Sequence, residues 1–524
     1  MPDPAPIDPL EGPRYALDGR VVTMDASGTV LRRGVVYIDG GRIVAVTDAD
    51  APRPDGFAGE PLVRTGGTIY PGLVELHNHL SYNILPLWQV PQAFVNRDQW
   101  SGRDDYRLAV TGPMSVLGRT TGYIEAIVRY VEAKCLLAGT TTSQGITLSS
   151  NAGIRKHYRG VVRNVEQSGD DDLPDAATHV ADVAQGTAEA FLGQLKGTST
   201  LLLHLSEGIG PTARRHFEAL RIKPRQWAIT PALAGIHCAG LNAGNFQRLA
   251  RDGGTMVWSP LSNLLLYGKT ANIKAARAAG VLIALGSDWS PSGSKNLLGE
   301  LKAAALFNEG LPADARFSAR ELVETVTINP ARILKWDHAL GSIEAGKRAD
   351  LLVLDNIIGD PYDQLVQARE TSITMVVING VPRYGSRALM ERFGPETERV
   401  SVGGSDRSLF LTQPTGDEIV GAVTLAEAAR TLQDGLGRLP ELALALEQRG
   451  LPRGDELVLE LDQNWEDEVF DPLARGLPPL SQVLTPLVLD PLLVVDDDHF
   501  LASLATQKNL PKAMRAELPL RYGG

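Results

Sequence analysis

The sequence predicts an α/β protein: a (β/α)8 barrel, a small β-sandwich formed by the N- and C-terminal segments flanking it, and a C-terminal extension. Three observations lead there. From about Thr68 short apolar runs alternate with helical stretches, the texture of parallel strands joined by helices. β-rich segments with turn signals stand on both sides of that region. At 524 residues the chain exceeds what one compact core sustains, so accessory domains are expected. The predicted divisions are 1–66 for the N-terminal part of the sandwich, 67–330 for the barrel, 331–387 for the C-terminal part of the sandwich and 388–524 for the extension.

Between Tyr15 and Val46 two β-rich runs, Arg20-Val-Val-Thr-Met and Gly34 to Val46, carry the hairpin signal Asp39-Gly40-Gly41. The barrel strands follow in order. The run from Thr68 to Leu76 ends in His77-Asn78-His79. A helix around Tyr123 to Leu137 precedes the run from Gly139 to Ile146, and Gly160 to Glu166 comes next. Thr178 to Val183 is a poorly marked strand, and a helix is expected near Gln185 to Leu195. The runs Thr200 to Gly208, Ala232 to Cys238, Thr255 to Asn263 and Gly280 to Asp288 complete eight strands, whose natural closure puts functional groups at the C-terminal strand ends. After Pro330 β-rich texture returns in Gly341 to Leu354 and Thr371 to Gly380. The extension holds an amphipathic stretch, Thr424 to Gln448, and an acidic Leu/Pro-rich stretch, Asp455 to Asp498. A cap or a homo-oligomer interface is expected of it.

Composition narrows the function. The 62 acidic and 51 basic residues give a net charge of -11 without a Lys/Arg tract, which argues against nucleic-acid and acidic-membrane partners and suits a small-molecule substrate. Only Cys135 and Cys238 occur, too few for a disulfide framework or a Cys-rich zinc site, so any metal is held by His and carboxylate. The N-terminus, Met1 to Asp8, lacks a basic and an apolar signal region, and no stretch of about 18 apolar residues appears. A cytoplasmic, soluble protein is the expectation.

His77 and His79 are two residues apart on an extended segment and share a face, so both rings can reach one ion. Alone, such a pair is more often two buried, hydrogen-bonded histidines. His204, His237 and Asp288, however, also stand where apolar strands stop. An Asp there commonly caps the next helix and a His bonds a carbonyl, but five such residues at successive strand ends match the three or four N/O ligands of a catalytic metal. Glu207, three residues after His204, falls in the loop above that site, where it can move a proton between water and leaving group. The bland account of Glu207 is a solvated loop carboxylate. Trp88, Phe94, Trp100, Trp258 and Trp289 lie near loop mouths, where aromatics more often pack under loops than stack a substrate. His157, His179, His216, His338 and His499 fit no strand-end pattern.

These segments resemble the metal-dependent amidohydrolase superfamily, in the aminohydrolase and chlorohydrolase branch that includes nucleobase deaminases. The resemblance rests on Pro71-Gly-Leu-Val-Glu-Leu-His-Asn-His, Gly139-Thr-Thr-Thr, His204-Leu-Ser-Glu, Gly235-Ile-His-Cys, Ser259-Pro-Leu-Ser-Asn, Gly286-Ser-Asp and the closing Gly341 to Asp355. It implies a TIM-like barrel in which His77, His79, His204 and Asp288 bind one divalent ion, Zn or else Fe. It further implies that Glu207 is the proton shuttle, that His237 ligates the metal or hydrogen-bonds the attacked group, that Asp288 orients the water, and that Ser262 and Asn263 bind substrate. No lysine closes a fourth strand, so a carbamylated-lysine, two-metal site is not supported. The implied activity is hydrolysis of a non-peptide carbon–nitrogen bond, in the form of deamination of a heterocyclic or amidine-like small molecule. Cyclic amide hydrolysis and dechlorination are the alternatives, and a non-catalytic binding protein on the same barrel would be expected to have lost ligands. The segment after His79 carries no motif that names a substrate.

Overall fold

The computed structural model describes residues 13–394, 396–413, 417–450, 454–461 and 476–523. The N-terminal Met1 to Asp8 and residues 462–475 of the acidic stretch lie outside the described residues. Helices and strands alternate through the middle of the chain, as the apolar runs predict, and the architecture is α/β.

We number the parallel strands β1 (Leu73–Val74), β2 (Thr140–Ser143), β3 (Arg163–Asn164), β4 (Ala176–His179), β5 (Thr200–Leu205), β6 (Leu233–His237), β7 (Thr255–Trp258) and β8 (Ile283–Leu285). β1, β2 and β3 form one parallel ladder, and β4 to β8 form another in sequence order. Every residue of β5, β6 and β7 is buried, which is why these strands read as continuous rather than alternating apolar runs. Ala176 N donates to Val165 O over 2.8 Å between the two ladders. On their other side Asn78 and Asp288 are parallel bridge partners.

The first strand differs from the expectation. The long strand Leu62–Pro71 belongs to the flanking sheet, and β1 covers only two residues before the chain reaches the histidines. The segment nonetheless stays extended, because Asp288 N donates to His77 O at 2.9 Å and His79 N donates to Asp288 O at 2.8 Å. β4 begins at Ala176 and ends on His179, earlier than the Thr178 to Val183 run, so His179 does stand at a strand end. Composition hides this strand, since three of its four residues are only half-buried.

The two flanks join in one nine-stranded ladder, in which Leu351–Leu354 runs antiparallel to Leu62–Pro71. Asp39 pairs with Arg42 across the predicted hairpin, where Gly40 and Gly41 take φ of 56° and 84°, backbone that glycine adopts without strain. Tyr15, Leu17, Ile38, Val353 and Val377, from both flanks, share one core. The expected divisions at 66/67 and 387/388 both cut this sheet. The first falls inside Leu62–Pro71, and the ladder continues beyond Ser386 through Ser405–Leu409 and Glu398–Val402.

The amphipathic stretch of the extension splits into helices Leu425–Gly437 and Leu439–Arg449, with Pro440 in the first turn of the second, where its missing N–H costs nothing. Arg129 of helix Ile124–Leu137 donates to the carbonyls of Val420 and Val423 just ahead of them. Further along, buried Asp490 takes Lys134 and Lys295 at 2.6 Å each. Gln507 Nε2 donates to Trp88 O and Asn509 Nδ2 to Leu265 O. The extension thus packs on the chain's own loops. Among the described residues no helix is long and apolar enough to cross a membrane.

Candidate active site

The strand ends bring His77, His79, His204, His237, Asp288 and Glu207 together. Nε2 of His204 lies 3.2 Å from Nε2 of both His77 and His79. Oδ1 of Asp288 is 3.4 Å from His77 Nε2 and 3.5 Å from His79 Nε2, while its Oδ2 is 3.9 Å from Nε2 of His237. Ligand atoms of His77, His204 and His237 fall within 4.8 Å of one another, and so do those of His77, His79 and Asp288.

Local structure explains this convergence. Alternation along the extended segment turns His77 and His79 to one side and Asn78 to the other, where Asn78 Nδ2 donates to Glu75 Oε2 and to Ser287 Oγ. Glu75, itself buried, accepts from Ser287 N at 2.7 Å and from Ser287 Oγ, tying the loop that carries Asp288 to the one that carries the histidines. Ser206, His237, Cys238 and Asp288 have φ between 52° and 68°. Non-glycine residues held in that region concentrate where the surroundings over-determine the backbone, typically at functional sites.

Burial, and then the neighbouring imidazoles, hold His77 and His204 well below the ordinary imidazole range. Burial pushes His237 down to about 4 against the opposing pull of Glu207. The rings are therefore neutral at pH 7, and their ring nitrogens face one another at contact distance. A cation between them relieves that crowding of lone pairs, and three imidazole nitrogens with one carboxylate is a donor set that zinc accepts. His77 Nδ1 lies 2.7 Å from Ser259 Oγ, the kind of outer partner that orients a ligating imidazole.

A narrow cavity opens beside these groups. Tyr82, Trp100, Tyr106 and Trp289 form its aromatic wall, and His79, Glu207, His237 and Asp288 its polar end. Trp289 stands 5.3 Å from the His79 ring and 5.0 Å from Tyr82. Of the five aromatics singled out in the sequence, Trp100 and Trp289 line the cavity, whereas Trp88 and Phe94 stack on each other and Trp258 donates to Thr270. His179 lines a wider cleft alongside.

Glu207 is 6% exposed, so the solvated-loop account does not hold. Its Oε1 accepts from the Tyr267 hydroxyl at 2.9 Å. Oε2 lies 3.6 Å from Arg97 and 3.8 Å from His237 Nε2. Ser262 and Asn263 do not line the cavity. Asn263 stands behind His237, with Nδ2 2.9 Å from its Nδ1, because helix Pro260–Tyr267 turns that face toward the ring. Arg97, Tyr267 and Ser259 are the contributors that strand-end reasoning misses. One signal exists for Tyr267: it follows Asn263 by four residues, on the same face of one helix.

Residues 204–383, which span the ends of β5 to β8 and the return into the flanking sheet, match the amidohydrolase family. The chain carries an amidohydrolase family domain. It is a hydrolytic enzyme acting on carbon–nitrogen bonds, in a family that is metal-dependent. The chain is 24% identical over 409 residues to a 5-methylthioadenosine/S-adenosylhomocysteine deaminase of Moorella thermoacetica, covering 68% of this chain and 90% of the relative. It is 24% identical over 360 residues to a 5'-deoxyadenosine deaminase of Methanothermobacter thermautotrophicus, covering 63% and 82%. Among solved structures, a zinc-bound adenosine deaminase from Xanthomonas campestris superposes with a TM-score of 0.54 at 18% identity, covering 84% of this chain and all of the other. An atrazine chlorohydrolase from Arthrobacter aurescens TC1 complexed with zinc gives 0.51 at 18% identity, covering 70% and 94%. Those likenesses speak to a TIM-barrel-like α/β fold.

Proposed function

We propose that this amidohydrolase is a mononuclear metal-dependent deaminase of a planar, adenosine-like heterocycle. The observation that carries the reading is Glu207, a buried carboxylate that faces both His237 and the aromatic cavity. In this reading β1 to β8 close into one eight-stranded barrel, and His77, His79, His204 and Asp288 hold one divalent ion, zinc first and iron second. β4 ends on His179, which supports a single-metal site over one bridged by a modified lysine.

When bound, the ion supplies Lewis-acid activation of water, bringing its pKa to about 7. The chain's own residues do the rest. Glu207 takes a proton from the attacking water and returns it to the departing nitrogen. Tyr267 holds one carboxylate oxygen by its hydroxyl, leaving Oε2 for that transfer. Asp288 orients the water through the oxygen that faces His237. The ring of the substrate lies along Tyr82, Trp100, Tyr106 and Trp289, whose faces suit a flat π-system. Water is kept out by the same wall.

Cyclic amide hydrolysis and dechlorination use the same ion and remain the alternatives. Chloride departs without a proton, so a dedicated proton carrier in Glu207 favours an amine leaving group. Incubation of the zinc-loaded protein with purine nucleosides, free purines, pyrimidines, pterins and chlorotriazines tests the reading. Ammonia release from a purine nucleoside supports it, whereas chloride or a ring-opened acid as the only product overturns it.

A further inference from the structure

Two hydrogen-bond chains run into the site, and each begins at an indole N–H. Trp258 Nε1 donates to Thr270 Oγ1 over 2.7 Å, Thr270 Oγ1 donates to Asn263 Oδ1 over 3.1 Å, and Asn263 Nδ2 meets His237 Nδ1 at 2.9 Å. Trp100 Nε1 donates to the Tyr267 hydroxyl over 3.0 Å, and that hydroxyl donates to Glu207 Oε1 over 2.9 Å. An indole N–H only donates, so the sense of each chain is fixed at its origin. Thr270 Oγ1 accepts from Trp258, and among the described residues Asn263 Oδ1 is the acceptor within reach of its own hydrogen. The Asn263 amide oxygen therefore faces Thr270 and its NH2 faces His237. A side-chain amide can otherwise be turned either way; here the donor at the start of the chain decides it.

The consequence lies at the far side of the ring. An imidazole nitrogen that accepts a hydrogen bond has no proton of its own, so neutral His237 carries its proton on Nε2. Nε2 is the nitrogen that looks toward Glu207 Oε2 and Asp288 Oδ2, at 3.8 and 3.9 Å. Likewise, a Tyr267 hydroxyl that has spent its acceptor side on Trp100 presents its hydrogen to Glu207 Oε1. Asn263 and Tyr267 sit one turn apart on the same helix, so one short element sets the polarity of both groups.

We propose that Trp258, Thr270 and Asn263 are positioning residues that hold His237 as its Nε2-protonated tautomer, so that it faces the cavity as a hydrogen-bond donor and not as a metal ligand. Trp100 and Tyr267 hold Glu207 as the matching acceptor. The roles assigned to His237 and Glu207 rest on the function proposed above; the direction of the chains does not. In that setting His237 polarises the attacked group or its water while Glu207 receives the proton, and neither changes role with the other.

The experiment is the protonation pattern of the His237 ring, read from long-range ¹H–¹⁵N correlations of the zinc-loaded full chain labelled with ¹⁵N-histidine. Loss of the signal in His237→Gln assigns it. The wild-type ring is expected to carry its proton on Nε2. Asn263→Asp puts an acceptor at Nδ1 and is expected to move the proton there, while Thr270→Val frees the amide to turn over and is expected to give a mixture. A wild-type ring protonated on Nδ1 overturns the proposal, and so does an Asn263→Asp ring still protonated on Nε2 alone. If Asn263→Asp fails to fold, an unchanged pattern in Thr270→Val overturns it. Because none of these readouts needs turnover, a protein with the expected pattern that deaminates nothing leaves the relay standing and refutes the reaction.

Discussion

Asn263 and Tyr267 stand one turn apart on helix Pro260–Tyr267, and their side chains end on His237 and Glu207 at 2.9 Å each. The helix begins two residues after β7, so the last strand turn before Asp288 orients two groups that it does not itself carry.

Tyr267→Phe removes one hydroxyl and leaves the aromatic wall in place. A hydrogen bond to a charged group contributes about 1.5–3 kcal/mol, so kcat is predicted to fall about 10- to 100-fold. Because Tyr267 is not a wall of the cavity, KM is predicted to stay within about threefold. Steady-state kinetics on a substrate that releases ammonia measures both.

The ligand assignment has its own signature in metal content. His77→Ala, His79→Ala, His204→Ala and Asp288→Ala are each predicted to lose stoichiometric zinc, whereas His237→Ala retains it. Ser259→Ala, which removes the partner of His77 Nδ1, is predicted to weaken zinc by about 10- to 100-fold. Elemental analysis after dialysis, and competition with a chelator, give the values.

Asp490 is 1% exposed and pairs with Lys134 and Lys295, while Lys134 also donates to Asn83 O at 2.6 Å. Asp490→Ala leaves the buried Lys134 ammonium without its carboxylate, while Lys295 keeps Asp497 at 2.6 Å, and breaking such a pair from one side costs about 3–5 kcal/mol. Urea unfolding is predicted to show that loss. An unchanged midpoint would mean that the extension contributes nothing to holding the loops it covers.

Glu300 is fully buried, accepting from Leu261 N at 3.0 Å and from Ser294 Oγ. Burial pushes its carboxyl from 4.5 up to about 8, against those hydrogen bonds. A folded-state pKa above the unfolded one means that the neutral form is favoured in the fold. The associated stability is whole below pH 4.5 and is lost as pH rises through about 8. Glu300→Gln keeps a neutral group of the same shape. Its Tm is predicted to match wild type near pH 4.5 and to exceed it increasingly up to pH 8, as followed by thermal unfolding across that range.

His77, His79, His204, His237 and Asp288 are legible in the sequence because each follows a buried apolar run, and a strand end is a local feature. The hairpin at Gly40-Gly41 is legible for the same reason. What the sequence hides is non-local. Ser259 meets His77 from 182 positions away, and Asp490 meets Lys134 from 356; neither is marked by spacing or composition. β4 escapes clear notice because three of its four residues are half-buried, so its apolar signal is weak and His179 reads as a loop residue. The divisions at 66/67 and 387/388 miss because hydrogen-bond pairing, not composition, decides where the flanking sheet stops.

The most direct measurement is ammonia released per mole of purine nucleoside consumed by the zinc-loaded protein, run beside Glu207→Gln. One ammonia per substrate is expected from the wild type and a loss of at least about a hundredfold in kcat from the variant, with zinc content unchanged. Substrate consumed without ammonia, or a Glu207→Gln enzyme as fast as wild type, would contradict it.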